Sequence, residues 1–340
     1  MRDSYFDNAK FLLVVLVVLG HMALGPLMAN DKSINALYIM IYFFHMPLFT
    51  FISGYFSKNF HKEGYYKKIF TRIFIPYIIF QTLYCVFHHF FLYPKEHIVT
   101  FGTPYYQLWF LLALAVWKFI LPYFIKLKYP LLIAFALSIF IGYEVDIGAY
   151  LSLSRIFVFF PMFLLGYYFD KKWLDKLFLK SSKIISVLVL ISVYLLIYYF
   201  GQDINKQIPI AMQSYDMMGY REWYAGIYRI GSFAVTFIIS IAFLSLVPRK
   251  QSMMSELGKF TMYPYILHAF LVKYLNKIQF HTWIDTTFEK ILWIVLCVGF
   301  VMLLSTKPVR TLFNFLVEPK LNWIFVKEKS ARFKSVGKSA

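Results

Sequence analysis

The chain is short of charge, and of negative charge above all: 15% of its 340 residues are charged, with 17 Asp and Glu against 35 Lys and Arg. Soluble domains average about 25% charged and about 45–50% apolar residues. Here 60% of residues are hydrophobic and 21% aromatic, which excludes an ordinary soluble domain and describes a polytopic membrane protein. Cysteine is scarce too. Cys85 and Cys297 both lie in apolar runs, so no disulfide framework or thiolate metal site is indicated. His88 and His89, and His61, His97 and His281 in loops, lack the spacing of a zinc site. A glycine-rich phosphate loop and a GxSxG elbow are also missing, as are internal repeats and low-complexity tracts.

What is present is a series of apolar runs separated by short basic loops. Ten spans can be drawn, near 8–29, 34–57, 69–92, 105–125, 129–143, 152–169, 183–201, 226–247, 260–279 and 288–306. The expected fold is therefore all-α, with about ten transmembrane helices. The first run has no small-residue cleavage site and reads as a retained span. Lys and Arg concentrate in alternate loops: Lys58 to Arg72, Lys126 and Lys128, Lys171 to Lys183, Arg249 to Lys259, and Lys307 onward. By the positive-inside bias both termini are cytoplasmic, N-in and C-in. The net charge of +18 is thus explained by orientation and anionic lipid, without nucleic acid. Residues 1–317 are expected to form the membrane domain. Residues 318–340 form a basic tail in which Trp323 and Phe325 mix with lysines against the inner leaflet. The longest outer loop, Gly201 to Ala225, suits a lid or vestibule.

Ionisable groups inside spans are costly and mark function. In the first span Lys10 and His21 are eleven positions apart, about 1100° or three turns plus about 20°, so both face one side of a helix. Asp7 lies three before Lys10 on the same stripe. An imidazole at that depth can serve as a general base or as interhelical packing glue. His45, followed by Pro47, reaches a similar depth from the other end of the second span, as a packing residue or as a group orienting His21 or substrate. Lys68 and Arg72, four apart before Pro76, share a face that can hold an anionic group such as a nucleotide phosphate or anchor the span. On the outer side, Arg155 and Arg229 run against the charge bias and suit a sugar or anionic acceptor, or lipid phosphate. Trp109 and Trp223 read as aromatic-belt anchors, and Lys118 snorkels inward. His268 sits in an aromatic stretch above Pro264, in a structural or supporting role.

Taken in order, these segments resemble the membrane-bound acyltransferase-3 proteins, especially the bacterial branch of fucose 4-O-acetylases and other polysaccharide O-acetyltransferases. The carriers of the resemblance are FDNAKFLLVVLVVLGH with Asp7, Lys10 and His21, FHMPLFTFISGYF with His45, and Lys68, Arg72 and Pro76. LWFL with Trp109, PMFLLGYYF after Arg155, and LGKFTMYPYILH ending in His268 complete the set. Lysine stands at 10 where the family usually has arginine, keeping the charge and losing the bidentate fork. The resemblance implies transfer of an acyl group, most often acetyl, from cytoplasmic acyl-CoA to a glycan hydroxyl. It implies His21 as base, with Asp7 and Lys10 positioning. No bound cofactor is expected. The expected partners are acyl-CoA, a polysaccharide acceptor, membrane lipids and a polysaccharide synthesis or export complex, in a bacterial cell membrane. Hydropathy alone also fits a transporter or flippase with a histidine proton relay, or a structural subunit.

Overall fold

A computed structural model describes residues 3–94, 101–145, 147–148, 150–321 and 324. His97, Trp323 and Phe325 lie outside them. The described residues contain helices and no strand. Eight helices are long and apolar enough to cross a membrane: α1 Ser4–Leu27, α2 Lys32–Tyr55, α3 Tyr65–Leu92, α4 Tyr106–Phe124, α6 Tyr150–Tyr168, α7 Lys180–Phe200, α8 Gly226–Leu246 and α10 Thr287–Leu304. The expected fifth and ninth spans are helices in the expected places but shorter: α5, Pro130–Tyr143, and α9, Met262–Lys277. Sixteen residues of α9 rise about 24 Å, less than a hydrocarbon core of about 30 Å. After α10 comes α11, Lys307–Val317, with Pro308 in its first turn.

Burial separates centre from rim. The most apolar stretches of α1 and α2 are 67% and 78% buried, those of α7 and α10 only 11% and 17%. The first two helices therefore form the axis, and α7 and α10 present apolar faces outward. Two glycines set the tightest crossing. A β-carbon on Gly54 of α2 would overlap the carbonyl of Phe163, and one on Gly166 of α6 would overlap the carbonyl of Phe51. Small residues let the two backbones touch.

The N-terminal end of α1 is held by polar bonds to a segment made much later. Asn8, fully buried, donates to the carbonyls of Pro248 (2.8 Å) and Lys250 (3.0 Å) and accepts from Ser252 (3.0 Å) and Ser255 (2.9 Å). Beside it Gly258 lies against the backbone of Asp7, where a side chain would collide with the carbonyl.

Three helices widen into π turns, at Gly20–Leu24, Phe70–Phe74 and His88–Leu92. Each ends two residues before a proline: Pro26, Pro76 and Pro94. Proline lacks the N–H that would bond the carbonyl four residues back and its ring presses on that carbonyl, and a wider turn relieves the conflict. The carbonyl freed before Pro26 belongs to Met22, and the indole of Trp293 donates to it at 3.1 Å. His21 lies inside the first of these turns and Arg72 inside the second.

Candidate functional site

His21 opens onto a polar cavity of about 510 Å³ between the C-terminal end of α1, the N-terminal halves of α2, α4 and α6, and α9. His45, Trp109 and Arg155 line the same space, as do Tyr42, Tyr106, Gln107, Tyr265 and Lys273. The loop from Gly201 to Ala225 contributes Gln207, Pro209, Ile210 and Met212 to its wall. His268 stands behind His21, its Nε2 3.0 Å from His21 Nδ1.

The hydrogen bonds fix the tautomers of the neutral rings. His268 Nδ1 lies 2.8 Å from the Pro264 carbonyl, which only accepts, so Nδ1 carries hydrogen and Nε2 accepts. His21 Nδ1 must then be the donor to His268, and its Nε2 is left with a free lone pair. His45 follows the same rule: Nδ1 donates to the Ile41 carbonyl at 2.8 Å, so its Nε2 accepts. Around His21 the ring of Tyr106 lies 4.6 Å away, and Tyr42 fits because Gly20 leaves room for its ring edge.

Arg155 lies over the Trp109 ring at 4.9 Å, and Trp109 is itself stacked on Phe159 at 5.3 Å. Trp109 is buried in the cavity wall and is not an interface anchor. The backbone at the cavity rim is strained. Tyr106, Leu151, Ser152 and Ala211 have φ of 49°, 46°, 54° and 57°, a region that costs non-glycine residues about 1–3 kcal/mol each. Cross-links hold them there, including Leu151 N–H to the Gly102 carbonyl (2.6 Å) and the Ser154 hydroxyl to the Ala211 carbonyl (2.9 Å).

The second polar cavity, about 390 Å³, lies at the start of α3. Lys67, Lys68, Thr71 and Arg72 face Asn314, Glu318 and Lys320 across it. Lys68 and Arg72 therefore share a cavity, as their spacing predicts. Lys10 and Asp7 line neither space. They pair with each other at 2.7 Å, with the Lys10 ammonium 5.4 Å from the Phe56 ring centre. Lys118 turns toward the end of α2, where its ammonium donates to Ser57, just past that helix, at 2.7 Å. Arg229 is buried away from the large cavity and donates to the Ile208 carbonyl at 2.7 Å.

Sequence reasoning missed Lys273, Gln107, Gln207 and Asn8. Lys273 had a usable signal, a cation within an apolar helix. The glutamines had none, because nothing in the pattern of α4 or of the loop from Gly201 to Ala225 points them at His21.

A model of the acyltransferase domain of the acyltransferase-3 family matches residues 3–306, nearly the whole described bundle. The chain belongs to the acyltransferase-3 family. Among proteins similar to this member are nodulation protein NolL of Sinorhizobium fredii (strain NBRC 101917 / NGR234), 42% identical over 60 residues, and nodulation protein NolL of Mesorhizobium japonicum (strain LMG 29417 / CECT 9101 / MAFF 303099), 40% identical over 60 residues. Each match covers 17% of this chain and 16% of the relative, so the chain spans under a fifth of the length of these relatives. No solved structure matches this acyltransferase-3 chain.

Proposed function

We propose that the protein is a membrane O-acyltransferase that moves an acetyl or other short acyl group from cytoplasmic acyl-CoA to a hydroxyl of a cell-surface or exported polysaccharide. The observation that carries the reading is the histidine pair: His268 sets the hydrogen of His21 on Nδ1 and leaves Nε2 a free lone pair on a residue that lines the cavity. A general base needs that arrangement. His21 takes the proton of the acceptor hydroxyl as its oxygen attacks the thioester carbonyl. The C–O bond forms, the C–S bond breaks, and the departing thiolate recovers the proton from His21 as free CoA.

Lys68 and Arg72, in the second cavity, have the charge for the phosphates of the donor. A separation of about 16 Å between the level of Lys10 and that of His21 is of the order of an extended pantetheine arm. Asp7 and Lys10 act as positioning residues at the entry of α1. The reading includes a ten-span bundle with both termini inside. In it α5 and α9, although short, cross within the protein, and the tail rests on the inner leaflet of a bacterial cell membrane. His45, Trp109, Arg155 and His268 serve the acceptor side.

Mass spectrometry of the host's surface polysaccharide, with the wild-type chain and with His21→Ala at equal expression, tests this. Acyl groups present with the wild type and missing with the variant are expected, and unchanged acylation in the variant would sink the assignment.

A further inference from the structure

The large cavity contains two cations and no carboxylate. Arg155 and Lys273 both line it, and no Asp or Glu does. Neither cation forms an ion pair among the described residues. Arg155 hydrogen-bonds the sulfur of Met212 through Nη2, at 2.9 Å, and lies over the Trp109 ring, while its Nε is buried without a hydrogen-bond partner. Lys273 lies over the rings of Tyr106 and Tyr105, at 4.2 and 5.4 Å. Two like charges in one partly dry space repel, and their desolvation is offset only when an anion enters. The same wall holds two buried amide oxygens without hydrogen-bond donors, Oε1 of Gln107 and Oε1 of Gln207. Aromatic faces and cations without a carboxylate partner together match a sugar that carries a negative charge.

Resting on the acyl-transfer reading, we infer that the acceptor is an anionic glycan, whose carboxylate or phosphate is held by Arg155 and Lys273 while its hydroxyl meets His21. Arg155 supplies the planar fork and Lys273 a movable point charge. The anion fixes which hydroxyl lies at Nε2, so charge selects the site of acylation.

The test is binding to the full chain in lipid nanodiscs, which needs no acyl transfer and therefore fails separately from the enzymatic reading. Three probes are compared by titration: sodium glucuronate for a carboxylate, glucose 6-phosphate for a phosphate, and methyl glucoside as the neutral sugar. At least one charged probe is expected to bind tenfold or more tightly than methyl glucoside, and which one does so identifies the anion. Arg155→Gln and Lys273→Gln should each remove most of that preference, while Lys68→Gln/Arg72→Gln, at the other cavity, should retain it. Equal affinity for all three probes, no binding of either charged one, or a preference that survives both cavity variants overturns the inference. Acetyl-CoA affinity is measured in Arg155→Gln as well: a tenfold fall assigns the cation to the donor and overturns it too. A chain that binds the charged sugar and transfers no acetyl group contradicts the enzymatic reading alone.

Discussion

Gly166 of α6 lies against the carbonyl of Phe51 so closely that the two helix backbones are in direct contact. Gly54 repeats the relationship against Phe163. Gly166→Ala or Gly54→Ala must therefore push α2 and α6 apart, and neither neighbour can yield because both are backbone. Overpacking of this kind costs about 1–3 kcal/mol or more. Gly231 in α8 has open space around it. Gly231→Ala should be neutral or stabilising, since alanine favours a helix by about 1 kcal/mol. Thermal unfolding in detergent should show the contrast directly.

In the proposed acyl transfer, His268 acts through His21. His268→Ala leaves the Nδ1 hydrogen of His21 without its acceptor and frees the ring to take the other tautomer. We expect kcat to fall about 100-fold, within the range set by general-base contributions, with a much smaller change in KM for acetyl-CoA. His268→Gln places an amide oxygen near the lost Nε2 and should recover part of the rate. A purely structural residue would show no such rescue.

Removing the ammonium of Lys10 strands a carboxylate, because Asp7 is only 4% exposed and Lys10 is its partner. Lys10→Ala should cost about 1–3 kcal/mol, between surface-pair and buried-pair values. Lys10→Arg should retain stability and activity. Adding Asp7→Asn to Lys10→Ala should restore part of the loss, read as recovered thermal stability.

At the second cavity, Lys68→Gln/Arg72→Gln should raise KM for acetyl-CoA about tenfold and leave kcat nearly unchanged, as expected for lost ground-state contacts to phosphate. Dephospho-CoA thioesters should discriminate less between wild type and variant.

Asp31 joins the start of α2 to α10: it caps Ser33 N–H (2.9 Å) and Ile34 N–H (3.2 Å) and pairs with Lys290 at 2.7 Å. The bond from Lys290 holds its carboxyl below the ordinary carboxylate value. A depressed folded value means stability that is present above the unfolded pKa, about 3.9, and is lost as pH falls through the folded value. Asp31→Asn keeps a cap and loses the pair, whereas Asp31→Ala loses both. Thermal scans at pH 7 should rank wild type above Asn above Ala, with the wild-type advantage over Asn shrinking below about pH 4.

Much of this architecture is legible in the chain. Apolar runs locate every long helix, and the cost of ionisable groups in them flags His21, His45, Arg155 and His268, four residues that meet at one cavity or directly behind it. The nitrogen-to-nitrogen contact of His21 with His268 was not legible, since no periodicity links positions 247 residues apart. The π turns were hidden as well, because a 3.6-residue repeat assumes the geometry that they break. Proline is no sufficient signal for them: Pro47 and Pro161 lie in helices that stay α-helical. Helical spacing puts Asp7, Lys10 and His21 on one stripe, and Asp7 and Lys10, three apart, do pair, but it does not reveal that the pair stands outside both polar cavities.

The partners of α1 also carry a consequence for biosynthesis. Asn8 is completed only by residues 248–255, and His21 only by His268. At translation rates of about 5–20 residues per second, the first helix waits roughly 12–50 s for them. During that interval a buried amide and an imidazole sit in the membrane without their final contacts, so the axis of the bundle is laid down first and finished nearly last. A ribosome that stalls before codon 268 would release a chain with most of its spans and an unfinished centre, a substrate for membrane quality control.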